Sequence, residues 1–339
     1  MKEQAFTAIE LCAGVGGQAL GLEEAGFEIT AAVDIDRDTC ATLAANRPQW
    51  SPIHGDIKLI DPAEHPAMDY ADVLSCGLPR SPYTVAGKQR ATDDERDALQ
   101  AALDMASYIR PRVLLLENIP TFLKAAKFEA QRARVEEAAK DLGYELQGSV
   151  LSATDFGVPQ LRLHAFFVAM AADDMAHFVW PTPSSAASGC PSMGATLKES
   201  MASGGWPAAE AWAAHAVEPA PLIMGGATGR GGADLGATRA KRQWAQWWVN
   251  GNSIGNEVPG PDFVLAPDPD GESREGLPKL TVAQVALLQG FSSSWQICGR
   301  KTSAYRQISQ TTPPQVAAAL GRSIATALTL GGSVPRSSP

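Results

Sequence analysis

Six residues near the start of the chain, Cys12-Ala13-Gly14-Val15-Gly16-Gly17, narrow the folds open to it. They follow the apolar run Ala8-Ile9-Glu10-Leu11 and lead into an amphipathic stretch through Ala25, so the order is strand, glycine-rich turn, helix. Glycine there lets the backbone approach a ligand closely, and a helix start offers free N–H groups. Asp34 ends the next apolar run about twenty residues on, where a carboxylate can grip a ribose hydroxyl pair. No Lys-Ser/Thr pair follows the glycines, which removes the phosphate-gripping P-loop. The local pattern favours a nucleoside cofactor, with an ordinary tight turn as the competing reading.

The alternation continues to about residue 170. Apolar runs at Thr7–Leu11, Ile29–Val33, Asp72–Cys76, Arg112–Leu116 and Ala165–Met170 read as strands, separated by helical stretches such as Thr92–Ile109 and Lys124–Leu142. Thr92-Asp93-Asp94-Glu95 fits a capping box, and Gly143 a helix C-cap. This predicts an α/β fold around a mainly parallel sheet. After Trp180 the texture changes: residues 181–276 are rich in Gly, Pro, Ala and Trp, with weak periodicity and no long helix. They read as a small separate domain or a large insertion. Helical spacing returns at Leu280–Phe291 and Pro314–Leu328. The expected division is therefore 1–180 with 277–330, a small domain at 181–276, and a flexible tail at 331–339.

Composition excludes several classes. No apolar run approaches the ~18 residues a membrane span needs, and the N-terminus has no signal-peptide architecture. Five scattered cysteines form no CxxC pair and no disulfide framework, so a reduced cytosolic protein without a metal site is expected. Against 37 acidic residues stand 28 Lys and Arg, a net charge of −9 that argues against binding nucleic acid by bulk positive charge. A locally basic cleft remains compatible with it.

Seven segments then occur in one order: Glu10 to Gly17; Val33-Asp34-Ile35-Asp36; Gly55-Asp56-Ile57; Leu116-Glu117-Asn118-Ile119-Pro120; Asp155 to Arg162; Leu288-Gln289-Gly290-Phe291; and Tyr305-Arg306-Gln307-Ile308. The chain thereby resembles the DNA cytosine-5 methyltransferase family along its whole length, most closely the bacterial and phage members. The resemblance implies a Rossmann-like, S-adenosylmethionine-dependent methyltransferase sheet, a smaller irregular target-recognition domain at 181–276, double-stranded DNA as partner, and a flipped cytosine. By position, Glu10, Cys12, Gly14, Gly16, Gly17, Asp34, Ile35, Asp56 and Ile57 would surround the cofactor. Glu117 would bind the cytosine edge and Arg162 would support the base pocket.

One position breaks the pattern. C5 of cytosine is a poor nucleophile, and the family activates it by adding a thiolate at C6, assisted by a carboxyl group at N3. The nucleophile sits in a Pro-Cys pair after the fourth strand. Here the segment reads Cys76-Gly77-Leu78-Pro79-Arg80-Ser81-Pro82, so Arg80 stands in the cysteine's place. A guanidinium stays protonated and cannot attack C6. Two further departures accompany it: Ser309-Gln310-Thr311 replaces the usual Gly-Asn-Ala, and His164 replaces the family's second arginine. Taken alone, His164 reads as a hydrogen-bonded surface residue at a strand start. Cys76, four residues upstream, is the alternative nucleophile, but free cysteine ending an apolar strand is most often a buried small hydrophobe. Cys12, Cys40, Cys190 and Cys298 have no motif support as nucleophiles.

Arg230, Arg239, Lys241 and Arg242, followed by Trp244, Trp247 and Trp248, form a dense basic cluster. They read either as phosphate contacts with aromatic support or as a solvated basic turn beside a small tryptophan core. Lys88, after the altered loop, is a further candidate for phosphate contact. The expected role is a DNA- and cofactor-binding homologue without the motif nucleophile: an impaired subunit or regulator of DNA methylation or restriction-modification, with an active methyltransferase as a second expected partner. The rivals are an active enzyme using Cys76 or a partner's cysteine, and a DNA-binding module without cofactor.

Overall fold

A computed structural model describes residues 5–84, 97–184, 189–224, 232–268 and 273–332. The chain divides into two compact units: 1–151 with 163–182 and 316–339, and 152–162 with 183–315. The second unit thus takes in 152–162 and 277–315, which the sequence reading placed with the larger domain.

The first unit is built on seven strands: β1 (Thr7–Leu11), β2 (Glu28–Asp34), β3 (Pro52–His54), β4 (Val73–Gly77), β5 (Val113–Asn118), β6 (Glu145–Ser152) and β7 (Leu163–Met170). They lie in the order β3-β2-β1-β4-β5-β7-β6. β1 to β5 pair in parallel, and β7 runs antiparallel to β5. All six residues of β5 are buried, as a strand covered on both faces requires. The short β3 and the half-buried β6 lie at the two edges and lack an apolar signal, so the sequence reading passes over both.

The helices of this unit are α1 (Gly17–Glu24), α2 (Arg37–Asn46), α3 (Leu99–Ile109), α4 (Pro120–Lys124), α5 (Glu129–Leu142) and α6 (Ala172–Met175). Asp36 caps α2 by accepting from the N–H groups of Asp38 and Thr39. Of the predicted Thr92–Ile109 helix, α3 covers Leu99–Ile109 with Ala98 at its N-cap; Thr92 to Glu95, the proposed capping box, lie outside the described residues. The predicted Lys124–Leu142 helix breaks at Ala125, whose extended backbone separates α4 from a 3-10 turn and α5. Gly143 ends α5 in the left-handed conformation.

In the second unit the helices are α7 (Met193–Ala202), α8 (Ala209–His215), α9 (Thr238–Gln246), α10 (Val282–Leu288) and α11 (Lys301–Gln310). Among its described residues, the segment expected to be irregular carries three short helices, since its Ala-rich stretches favour helix despite the surrounding Gly and Pro. α7 and α8 touch at Gly194, where any Cβ would collide with the carbonyl oxygens of Ala213 and Ala216. α10 carries a full capping box between Thr281 and Gln284. The last helix, α12 (Pro314–Gly331), belongs to the first unit from Val316 on and extends past the expected end at Leu328. A Cβ on its Gly321 would lie 2.8 Å from Ala25 Cβ, so glycine permits the approach to the end of α1. No helix among the described residues is long and apolar enough to cross a membrane.

Candidate active site

The strand order reverses between β1 and β4, and ligands of open α/β sheets bind beyond the carboxyl ends of the strands at such a point. Four sequence-selected groups end there: the glycine turn after β1, Asp34 on β2, Gly77 on β4 and Glu117 on β5. Register aligns them, pairing Leu11 with Val33 and Cys76, and Gly77 with Glu117.

Asp34 organises the glycine turn. Its Oδ2 accepts from Gly14 N–H at 2.8 Å and its Oδ1 from Asp36 N–H at 2.8 Å. Burial pushes its carboxyl above the ordinary value, against these hydrogen bonds. Gly14 has φ +54, and a Cβ there would meet nothing within 4 Å, so the turn faces open space. Gly16 is the N-cap of α1 and Gly17 its first residue. Ile35, 65% exposed, presents apolar surface beside Asp34. Asp56 follows β3 and accepts from Lys58 N–H. These features fit a nucleoside: a carboxylate for a diol, an apolar side chain for a base, and a close-approach backbone. Ile57, after Asp56, is buried and belongs to the core cluster of this unit.

Glu10 lies deeper than expected. It is buried on β1, its Oε1 accepts from Gln18 Nε2 at 3.3 Å, and Gln18 also donates to Ser75 Oγ. Its Oε2 has no partner among the described residues. Burial pushes its pKa up from 4.5 to about 8, despite these hydrogen bonds. The sequence reading missed Gln18 and Ser75; a polar residue on the inner face of an apolar helix was the available signal.

The altered loop brings two of the departures together on one carboxylate. Arg80 Nη2 donates to Glu117 Oε1 at 2.7 Å, and His164 Nδ1 is 2.8 Å from the same oxygen. Arg80 Nη2 also lies 3.1 Å from His164 Nδ1. His164 is wholly buried, which corrects its reading as a surface residue. Burial holds its pKa below the ordinary value, against the pull of Glu117. A neutral ring beside an acceptor-only carboxylate must present its Nδ1–H, which leaves Nε2 bare; Nε2 is buried without a partner among the described residues. Burial would raise the Glu117 pKa, but Arg80 and His164 outweigh it and keep the carboxyl below its ordinary value. Glu117 is thus an ionised carboxylate already holding a guanidinium.

Cys76, on the adjacent strand, is fully buried. Hydrogen bonding with the Cys12 side chain, together with burial, pushes its thiol well above the ordinary value. Cys12 is half-buried at φ 53 at the head of the glycine turn.

In the second unit, Arg162 is buried and donates to the carbonyls of Ser309 at 2.7 Å and Ile223 at 3.2 Å. Gln160 Nε2 donates to Gln289 Oε1 at 2.6 Å, and Gln289 Nε2 to Ile308 O at 2.8 Å. Three separate sequence motifs therefore meet in one buried network. On α9, Arg239 and Arg242 are exposed, whereas Lys241 pairs with Asp234 at 3.1 Å. Trp244 is fully buried, and Trp248 stacks on His215 at 3.7 Å. Trp244 thus belongs to a small core, whereas Trp247 and Trp248 are partly exposed beside His215. Lys88 and Arg230 lie outside the described residues.

The sequence profile of the C-5 cytosine-specific DNA methylase family matches residues 6–326. The Type II methyltransferase M.NaeI of Lentzea aerocolonigenes is 41% identical over 333 residues, 97% of this chain and 77% of that protein. The Type II methyltransferase M.NgoMIV of Neisseria gonorrhoeae is 38% identical, covering 95% of this chain and 98% of that one. Among solved structures, DNMT2 of Spodoptera frugiperda superposes with a TM-score of 0.62 at 16% identity, over 95% of this chain and 100% of that one. That likeness shows the Rossmann-like α/β fold. With its motifs in order and the profile spanning nearly its full length, the chain belongs to the C-5 cytosine-specific DNA methylase family, whose methyl donor is S-adenosylmethionine.

Proposed function

We propose that this chain binds DNA and S-adenosylmethionine but does not itself form the covalent cytosine adduct, and that it serves as a subunit or regulator of DNA methylation in a Type II restriction-modification setting. One observation carries the reading: Arg80, at the nucleophile position, donates to Glu117 at 2.7 Å. Two requirements of the reaction are lost together. No thiol is available to add at C6, and the carboxyl that should hydrogen-bond cytosine N3 as a protonated acid is kept ionised and occupied. Bound cofactor would supply the methyl group. On the protein side, Asp34 and the glycine turn would hold its nucleoside, with Ile35 against the base.

Cys76 offers no substitute, because a buried, protonated thiol is neither exposed nor nucleophilic. On DNA, the exposed Arg239 and Arg242 of α9 are the proposed phosphate contacts, within a segment 181–275 that carries six basic and ten acidic residues.

The test is incubation of the purified chain with 5-fluorocytosine-substituted DNA and labelled S-adenosylmethionine. No covalent adduct and no methyl transfer are expected, while calorimetry registers cofactor binding. An adduct formed by the unmodified chain alone would overturn the reading. Absence of cofactor binding by folded protein would favour the plain DNA-binding module. An adduct that appears only with a neighbouring methyltransferase would identify the partner.

A further inference from the structure

The departures at 80 and 164 fall on the same carboxylate oxygen, although 84 residues separate them in sequence. The sheet explains how. Glu117 pairs with Phe166 across the antiparallel β5–β7 ladder, so His164 is its diagonal neighbour on the same face, within reach of a long side chain. An arginine at 164, where the family pattern has one, would also reach Glu117. From the other side, Gly77 pairs with Glu117, and Arg80 lies three residues past it. The Arg80 carbonyl accepts from the N–H groups of Tyr83 and Thr84, and Tyr83 is buried against Phe122 and Phe128. This turn fixes the backbone at 80.

We infer that the guanidinium which the family pattern places at 164 on β7 has changed places in this chain: it is delivered from the loop after β4, which makes Arg80 the positioning residue of Glu117. Loss of the nucleophile and loss of the second arginine are then one coupled change. Removing the guanidinium from a buried carboxylate leaves an uncompensated charge, and a second guanidinium there would add the desolvation cost of a further buried ion without a further counter-charge. The shorter, neutral imidazole at 164 leaves room for Arg80 and donates a second hydrogen bond to the same oxygen. Among the described residues, the charged and titratable groups facing Glu117 are Arg80 from the loop, His164 from β7, Glu10 from β1 and Cys76 from β4. Arg80 is the only permanent cation of the four.

The inference rests on the reading that Arg80 occupies the nucleophile position, and its test uses neither DNA nor cofactor, so the two can fail separately. Arg80→Gln, His164→Arg and the double variant are prepared in the full chain, with ¹³C-labelled glutamate carboxyls and the Glu117 signal assigned through Glu117→Gln. In Arg80→Gln the midpoint of the Glu117 titration is expected to rise by about 2 pH units, and in the double variant to return to the parent range. Urea unfolding supplies a second readout that does not depend on Arg80→Gln folding well. In the parent background Arg80→Gln raises the unfolding equilibrium constant at least about tenfold; in the His164→Arg background it leaves it unchanged or lowers it. A sign change between backgrounds supports the exchange. Equal effects of Arg80→Gln in both, or a Glu117 titration that His164→Arg fails to restore, would overturn it.

Discussion

Replacing Glu10 by Gln should change the pH dependence of stability more than stability itself. The parent carboxyl is buried, with a folded-state pKa of about 8 against an ordinary 4.5. Below 4.5 both folded and unfolded chains carry the proton, and the site contributes its full stability. Between 4.5 and about 8 the unfolded chain releases the proton while the folded chain keeps it, so stability falls as pH rises. Above about 8 the contribution is gone. That interval, at about 1.4 kcal/mol per pH unit, sets a ceiling of about 5 kcal/mol, and side-chain relaxation should leave roughly 2–3 kcal/mol. Glutamine carries no proton to lose, and its Oε1 can still accept from Gln18 Nε2. The assay is urea unfolding followed by circular dichroism at intervals from pH 5 to 9. The variant should match the parent near pH 5 and exceed it by a margin that widens toward pH 8.5. Parallel pH profiles for the two proteins would refute the argument, because the slope difference isolates this one carboxyl.

Other consequences are equally direct. Asp34→Ala removes the acceptor for Gly14 N–H and the proposed ribose contact, so calorimetry should show S-adenosylmethionine affinity weakened by about tenfold or more. The pair Arg239→Glu and Arg242→Glu should weaken DNA retention and flatten the salt dependence, lowering the log–log slope by about 2, while leaving the Lys241–Asp234 pair intact. Gly321→Val forces a Cβ to within 2.8 Å of Ala25 Cβ, and should cost about 1–3 kcal/mol in urea unfolding.

What could be read from the residues alone depended on whether the signal was local. β1, β2, β4, β5 and β7 are buried apolar runs and were visible; β3 has three residues and β6 is half exposed, so neither carries a pattern. The glycine turn and Asp34 were legible because one short βαβ segment holds both. Arg80 was identifiable as a misplaced cation, and His164 as a missing arginine. Their meeting at Glu117 was not readable, because it requires the β4–β5 and β5–β7 registers at once. Glu10 was named for the cofactor by position, but its burial with Gln18 and Ser75 depends on how α1 lies on the sheet. Proximity to basic residues in sequence likewise did not tell the buried Trp244 of α9 from the partly exposed Trp247 and Trp248 after it.

The network joining Gln160, Gln289 and Ile308 has a consequence for how the protein is born. Gln160 must wait for a partner 129 residues downstream, and Arg162 for a carbonyl 147 residues downstream. At a synthesis rate of roughly 10 residues per second these two contacts form only about 13–15 s after their first residue is made, although both side chains can meet the backbone of Ile223 earlier. The first unit waits as well, since Gly321 of α12 meets Ala25 only after α12 has been made. Until then the nascent first unit exposes apolar surface that α12 covers. Truncation ahead of α12 should therefore yield aggregation in place of a trimmed, folded protein.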